Sequence, residues 1–414
     1  MTRKSKKPTV ISLFSGAGGM DLGFKQAGFE TIWANDFDED STKTFKRNIG
    51  DIVLGDIGAI QSKDIPNKPD IVLGGFPCQG FSIANSIRRS VDDSRNKLYK
   101  QMIRVIRDKK PKYFVAENVQ GILSLGKGMV MQKILHDFSK LGYQIDWKLL
   151  NAADYGVPQS RKRVFIIGNR LKKKNPFPSP SHFGYVNGMK DLSLFKEEYS
   201  KYEKHVSTEQ AISFLSKVRT RDKSFLHKNQ WIYNHVADTN VKDEFWGRKY
   251  DVNQHDVCDY LKHWRSKSDW SVKRIDEHFG YAHTAGHWFR KDNNSGSIPN
   301  PEDWWNLKKL LKFDNKYDKQ VTVLEEKEIV FEQSLRISNW EEPSDTLTAT
   351  GPEIHPNRKR RLSVRECAAL QTFPDDFVFY GALGSMYRQI GNAVPVKLAK
   401  VIAKEIIKSL GSSN

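Results

Sequence analysis

The sequence has little cysteine: three residues in 414, at positions 78, 258 and 367. Their spacing suits neither a metal site nor a disulfide framework, so the chain reads as a protein of a reducing cytoplasm, without metal. It also lacks any apolar run near the ~20 residues that span a membrane, and Met1–Lys7 is basic but leads into Val10–Phe14 and then glycines. No signal peptide and no membrane partner are therefore expected. A third absence concerns glycine. Counted from Gly16, the last glycine of a dinucleotide fingerprint belongs at position 21, where the chain has Asp21, so a nicotinamide dinucleotide is disfavoured. Acid is scarce too, with 49 Asp and Glu against 67 Lys and Arg, a net charge of +18. That excess favours a polyanionic partner, with nucleic acid the leading candidate. The stretch 161–174 holds seven Lys or Arg and no acid, and Arg358–Arg361 is a second basic run. One such run is ordinarily a solvated face, but two runs flanking the same long middle region favour a groove that tracks phosphates.

At 414 residues the chain exceeds one compact domain, so a core plus a second unit is expected. From Val10 to Gly168 short apolar runs alternate with helical patterns, which predicts a doubly wound parallel sheet. The strands fall near 10–14, 30–35, 51–54, 70–75, 113–117, 144–150 and 163–168. Leu98, Met102, Val105 and Ile106 share one face of a helix that would cover this sheet. Ligands of such sheets bind beyond the carboxyl ends of the strands. Asn175–Pro180 breaks the alternation. From there to about residue 350 the chain turns rich in Trp, His, Lys and Asp and reads as an inserted domain. Pro395, followed by Leu398, Val401, Ile402 and Ile406, predicts a closing helix with Pro in its first turn.

The chemistry-bearing residues collect at predicted strand ends. Gly74–Ser82 sets Cys78 on a Gly- and Pro-bent loop directly after Ile71-Val72-Leu73, which makes it a candidate nucleophile. Glu117-Asn118-Val119 ends the run Tyr113–Ala116, and Gln159–Arg163 precedes Val164–Ile167. Thiol, carboxylate and guanidinium can thus meet at one sheet edge. Taken singly, each has a plainer reading as an inert buried thiol, a turn and a surface run. Phe14–Gly19 follows the first strand, and its glycines let the backbone approach a ligand before a helix begins near Met20. A tight strand–helix turn is the plainer alternative. Asp36, ending the second strand, is placed to accept hydrogen bonds from ribose hydroxyls, and Phe37 to stack on an adenine. Gly55-Asp56-Ile57 ends the third strand similarly, which tips the reading towards a nucleoside-bearing cofactor.

With Gly391-Asn392-Ala393-Val394-Pro395 near the end, these segments resemble, in order, the motifs of the bacterial cytosine-C5 DNA methyltransferases of restriction–modification systems. The resemblance implies an α/β fold: a Rossmann-like S-adenosylmethionine-dependent methyltransferase core with a smaller inserted target-recognition domain. Residues 1–174, completed by 388–414, would form the catalytic domain, and 175–387 the recognition domain. S-adenosylmethionine would be held by Phe14, Ser15, Gly16, Gly18, Gly19, Asp36, Phe37, Asp56 and Ile57, with Pro77, Leu98, Asn392 and Ala393 completing the pocket. The implied catalytic set is Cys78, Glu117, Arg163 and Arg161. Cys78 would add to C6 of cytosine, Glu117 would hydrogen-bond N3 and the exocyclic amine, and Arg163 would hold O2. Arg161 and Gln159 would position the loop and Arg163. A stacked base cannot reach these groups, so it must be flipped out of the duplex. The Gln79–Lys97 segment suits a loop that closes over the DNA, with Gln79, Ser82, Arg88 and Arg89 as its contacts. The implied partners are double-stranded DNA, bound by a monomer in the cytoplasm at the nucleoid, and a cognate restriction endonuclease acting on the same site.

In the resembled family the segment between Gln159–Arg163 and Arg360–Phe377 selects the DNA sequence. Here the stretch near 256–291 resembles a helix-turn-helix: helices over 257–264 and 272–279, Gly280, then 282–290 as a third. His283, Thr284, His287 and Arg290 would then meet the major groove. A small helical packing unit with an aromatic core accounts for the same pattern. His283 and His287 stand four apart but lack the acid of the zinc pattern, so no metal is assigned. Arg336–Gly351 resembles the part of the recognition domain nearest the DNA, with Arg336 a contact. Arg360–Phe377 resembles the segment that braces that domain, and Cys367 within it receives no chemistry. A tRNA cytosine-C5 methyltransferase would share the core, but RNA grooves exclude a helix and the long middle region favours duplex DNA. A non-enzymatic helix-turn-helix regulator would have no use for Cys78, Glu117 and Arg163 together.

Overall fold

The computed structural model describes residues 7–76, 97–183, 202–215, 225–227, 230–239, 254–280, 301–318, 337–349, 351–357 and 360–411. The first strand, β1 (Thr9–Leu13), is apolar on both faces, as a strand between two helical layers must be. With α1 (Gly19–Gln26), β2 (Glu30–Asp36), α2 (Glu39–Asn48), β3 (Val53–Leu54) and β4 (Ile71–Gly74) it builds the first half of the sheet. The second half consists of α3 (Lys97–Lys109), β5 (Tyr113–Val119), α4 (Met129–Ser139), β6 (Gln144–Asn151) and β7 (Lys162–Asn169). The seven strands lie in the order β3-β2-β1-β4-β5-β7-β6. The strand order reverses between β1 and β4, so the loops after these two strands open one crevice at the carboxyl edge.

The expected all-parallel sheet is corrected at one strand. β7 runs antiparallel to both β5 and β6. A parallel return needs a crossover of a dozen or more residues, usually a helix, and the 152–161 connection offers only a 3₁₀ turn at Ala152–Tyr155.

Alternation along the strands divides the core. Val10, Ile71, Leu73, Tyr113 and Val115 face one helical layer, while Ile11, Leu13, Val72, Phe114 and Ala116 face the other. The second layer buries Met102, Val105 and Ile106 of α3, with Leu98 packed at its margin. The first layer is closed by the last helix of the chain, α11 (Val396–Gly411), whose Leu398, Ala399, Ile402 and Ile406 join Phe24 of α1. The carboxyl-terminal helix thus completes the amino-terminal sheet. Gly23 makes this possible: a Cβ there would meet Val396 O at 2.6 Å.

A third cluster joins Ala17 and Leu22 to residues far along the chain. Its members come from α5 (Thr208–Ile212), the hairpin β10–β11 (Phe225–His227 and Gln230–Ile232), α9 (Val364–Leu370) and α10 (Leu383–Asn392). The two-stranded pair β8–β9 (His182–Phe183 and Glu203–Lys204) stands apart from it. Buried polar groups lock the cluster. Arg365 donates to the carbonyls of Tyr233 and Pro374 at 2.8 and 2.7 Å and to that of Phe377. Asn234 pairs with both backbone groups of Phe379, and Arg360 grips Glu366 through two 2.7 Å bonds. Cys367 is buried here, with its thiol pushed well above its ordinary pKa by that burial, so it is inert.

Separately, α6 (Gln254–Ser266), α7 (Val272–Phe279) and α8 (Pro301–Leu311) enclose their own core of Leu261, Ile275, Trp304, Leu307, Leu311 and Phe313. The helices expected over 257–264 and 272–279 are present. The segment 282–290, with His283, Thr284, His287 and Arg290, lies outside the described residues. The helix packed as third member is α8. Among the described residues, no helix is long and apolar enough to cross a membrane.

Filling the α1–α11 contact tests this closure. Gly23→Ala should destabilise the fold by about 1–3 kcal/mol, the usual cost of overpacking. Gly50→Ala, where an added Cβ meets nothing within 4 Å, should leave the thermal midpoint nearly unchanged. Equal midpoints for the two variants would show that α11 does not depend on close approach at Gly23.

Candidate active site

The loop after β1 is shaped by backbone that only a few residues adopt easily. Phe14 and Gly16 both have φ of +54°, and Gly18 has φ of +87°. Asp36 ties this loop to β2: its carboxylate accepts from Gly16 N at 2.7 Å and from Asp38 N at 2.9 Å. Burial pushes its pKa up against those two donors. Each oxygen keeps a further lone pair beyond the donor that ties it to the loop. Beside it Phe37 is 74% exposed, an uncommon position for so large an apolar ring. Asp56 is exposed and caps its own turn through Gly58 N at 2.8 Å, and Ile57 is core.

Of the three loop glycines, Gly16 has open space on its Cβ side, where an added Cβ meets nothing within 4 Å. Gly18 and Gly19 also answer to the protein's own packing. A Cβ on Gly18 would strike Ile49 and Phe45, and one on Gly19 would strike Val394 O and Ala393, so both are small for the protein's own packing. Ser15 gives its hydroxyl to Ser12, which in turn bonds Asp21 at 3.0 Å. Asp21 is buried, and loss of solvent lifts its carboxyl to about 7. Position 21 therefore packs the loop from beneath. Asn392 is exposed and Ala393 half-buried against Gly19.

The second half of the site lies where β4, β5 and β7 end together. The antiparallel register sets Arg163 opposite Val119, diagonal to Glu117 on the same face. Their side chains pair at 3.1 Å, each only 11% exposed. Burial raises the Glu117 pKa, opposed by Arg163 and then Arg161. Gly75 lets β4 close on this pair: its added Cβ would lie 3.1 Å from Glu117 Oε2. Asn118 Nδ2 donates to Phe76 O at 2.9 Å and fixes where the next loop departs. Pro77, Cys78, Gln79, Ser82, Arg88 and Arg89 lie outside the described residues, as does Arg336. The chain direction carries Cys78 two residues beyond Phe76.

Arg161 does not belong with groups that could touch a substrate. It is fully buried, with Nη1 on Leu347 O at 2.8 Å and Nη2 on Gly391 O at 2.7 Å. Burial, then repulsion from Arg163, lowers its pKa to about 9 against the pull of Glu117. It holds two distant backbone carbonyls together. The residues beside it pair with the 344–347 segment: Ser160 N donates to Ser344 O at 2.8 Å and Ser344 N to Pro158 O at 3.0 Å. Gln159 Oε1 accepts from Leu347 N at 3.2 Å. No local pattern announces this pairing across nearly two hundred residues.

Of the two basic runs, Arg358 and Lys359 of the second lie outside the described residues. β7 divides the first run, leaving Arg161 and Arg163 at one end and Arg170–Lys174 at the other, about 23 Å apart at a strand's rise per residue. Arg161, Arg163 and Arg360 are spent on internal partners. Arg361 bonds Pro352 O.

The family described as C-5 cytosine-specific DNA methylase matches residues 8–408 of the chain. The type II methyltransferase M.MthTI of Methanothermobacter thermautotrophicus is 33% identical over 97% of each chain. M.NgoFVII of Neisseria gonorrhoeae is 32% identical over 98% of this chain and 88% of its own. Among solved structures, the S. pombe Dnmt2 methyltransferase aligns over 98% of this chain and 99% of its own with a TM-score of 0.52 at 15% identity, a likeness of fold.

The buried pair predicts a pH signature. A carboxyl whose folded pKa is raised binds protons more tightly in the native state, so its ionisation costs stability as pH rises above the ordinary Glu range. Arg163→Ala removes the partner that offsets this cost, and leaving a buried charge unpaired costs about 3–5 kcal/mol. The thermal midpoint of the variant should fall below wild type far more at pH 8 than at pH 5. A deficit independent of pH would mean that Arg163 contributes packing alone.

Proposed function

The chain belongs to the C-5 cytosine-specific DNA methylase family, and from that premise we propose that it methylates C5 of a cytosine within a specific sequence of double-stranded DNA, using S-adenosylmethionine. The observation that carries this reading is the buried Glu117–Arg163 pair at the sheet edge from which the Cys78 loop departs. S-adenosylmethionine, when bound, supplies an electrophilic methyl group. Gly16, open on its Cβ side, Asp36 at the end of β2 and the exposed ring of Phe37 fit its nucleoside. Leu98, Asn392 and Ala393 would border the same pocket, with Pro77 at the loop's start.

C5 of cytosine is a weak nucleophile, so electrons must first be pushed into the ring. The Cys78 thiolate does this by bonding to C6, which shifts the C5–C6 π pair onto C5. Glu117 faces N3 and the exocyclic amine, and burial, which raises its pKa, favours sharing a proton with N3 as charge builds there. Arg163, held by Glu117, meets O2. Once C5 carries the methyl group its proton departs to a base, the C6–S bond breaks, and the thiolate is restored. The cytosine must leave the stack to reach these groups.

The type II relatives span the middle region as well as the core, and this favours duplex DNA over tRNA. On this reading residues 175–387 choose the sequence, with Arg336 and the 337–351 stretch towards the DNA. The helical unit reads bases only if 282–290 enters a groove, and its closed aromatic core supports a packing unit equally. The protein would work as a monomer in the cytoplasm, protecting host DNA from a cognate endonuclease.

Two experiments test this. Duplex with 5-fluorocytosine at the methylated position should trap wild type covalently at Cys78, since fluorine cannot leave as a proton. Cys78→Ser should give no adduct and no transfer while still binding S-adenosylhomocysteine, and an adduct mapping to Cys258 or Cys367 would refute the assignment. Glu117→Gln should slow single-turnover methyl transfer about 100-fold or more, as for loss of a transition-state contact. Its DNA affinity should stay near wild type. A loss expressed mainly in DNA affinity would make Glu117 a binding residue instead.

A further inference from the structure

Arg161 sits where three separate parts of the chain converge. Its fork spans the Leu347 carbonyl on one side and the Gly391 carbonyl on the other, while its charge acts on Glu117 and Arg163. The contact is tight on both sides. An added Cβ at Gly391 would overlap Thr348 O and crowd Ala349 N, so the 347–349 backbone rests directly on the last turn of α10. Two residues further, Ala393 and Val394 O press against Gly19 of the loop after β1. Leu347, Arg161, Gly391 and Gly19 thus form a continuous run of close contacts from the middle region to the proposed cofactor loop. Backbone meets backbone along most of it. Closely packed elements transmit small shifts because they do not deform gradually.

We propose that Arg161 is a positioning residue that couples seating of DNA against the 344–349 segment to tightening of the cofactor loop. The inference rests on the function proposed above, in which that segment lies on the DNA side and the Phe14–Gly19 loop holds S-adenosylmethionine. A guanidinium suits the task, since two of its donors reach two carbonyls at once in a fixed plane, whereas an ammonium offers a point charge on a flexible stem. Coupling between two sites is reciprocal, so the cofactor would also tighten DNA binding by the same factor.

The test measures binding of S-adenosylhomocysteine to the full-length protein, by calorimetry, with and without a duplex carrying the site that the enzyme methylates. Wild type should bind the nucleoside about fivefold or more tightly in the presence of the duplex, a usual size for such coupling. Arg161→Lys should reduce that ratio to about twofold or less, while affinity without DNA stays within about threefold of wild type. Gly391→Ala leaves the guanidinium intact but forces the end of α10 away from Thr348, and should lower the ratio in the same way. It keeps the test open should Arg161→Lys fail to fold. A purely structural role would weaken both affinities and lower the thermal midpoint, with the ratio preserved. A wild-type ratio near one, or an undiminished ratio in both folded variants, would overturn the coupling. Failure of wild type to bind S-adenosylhomocysteine at all would instead defeat the underlying function.

Discussion

The reversal of β7 is the constraint on which the site depends. Had the last strand of the sheet run parallel to β5, its amino-terminal end would lie at the opposite edge, and Arg163 would be a strand's length from Glu117. Running antiparallel, it carries Gln159–Arg163 back to the edge where β4 and β5 end. The guanidinium then meets a carboxylate whose pKa burial raises, and opposes that rise. The same turn of chain lays Pro158–Arg161 along Ser344–Leu347 and so ties the middle region to the sheet. One short connection therefore fixes both the charge pair and the docking of a distant segment.

Around this edge the protein closes by contact of small residues. Gly23 admits α11, Gly19 admits the Ala393–Val394 turn, Gly391 admits Thr348 and Gly75 admits Glu117. At each place a methyl group would crowd backbone or, at Gly75, the Glu117 carboxylate. Glycine is costly in a helix, where it gives up about 0.5–1 kcal/mol relative to alanine. Its presence inside α1 is explained by the return of the last helix. The first and last segments of the chain consequently share one core.

Much of the architecture was legible in the residues. Apolar runs such as Ile71–Leu73 and Tyr113–Ala116 announced the strands, and Met102, Val105 and Ile106 the covering helix, because burial on both faces leaves a continuous signal. Strand direction was not legible, since it depends on what the connection can span rather than on the strand's composition. The Phe14–Gly19 loop was recognisable, but three glycines that look alike serve different ends: Gly16 faces open space while Gly18 and Gly19 meet the protein itself. Arg161 and Arg360 counted as charge in the sequence, yet in the fold they serve the Leu347 and Gly391 carbonyls and Glu366. Net charge reports how many cations exist and says nothing of their partners. The aromatic residues of the middle region signalled a small core correctly, but no periodicity indicated that α8 would be the helix completing it.

The central claim is that this sheet edge marks one cytosine in a defined duplex sequence. Bisulfite sequencing of plasmid recovered from a host expressing the intact chain reads that outcome at every cytosine at once, whichever sequence is chosen. The account predicts cytosines resistant to conversion in a single short sequence context on duplex DNA, and none beyond background elsewhere. Complete conversion at every cytosine, with the folded protein present, would contradict it.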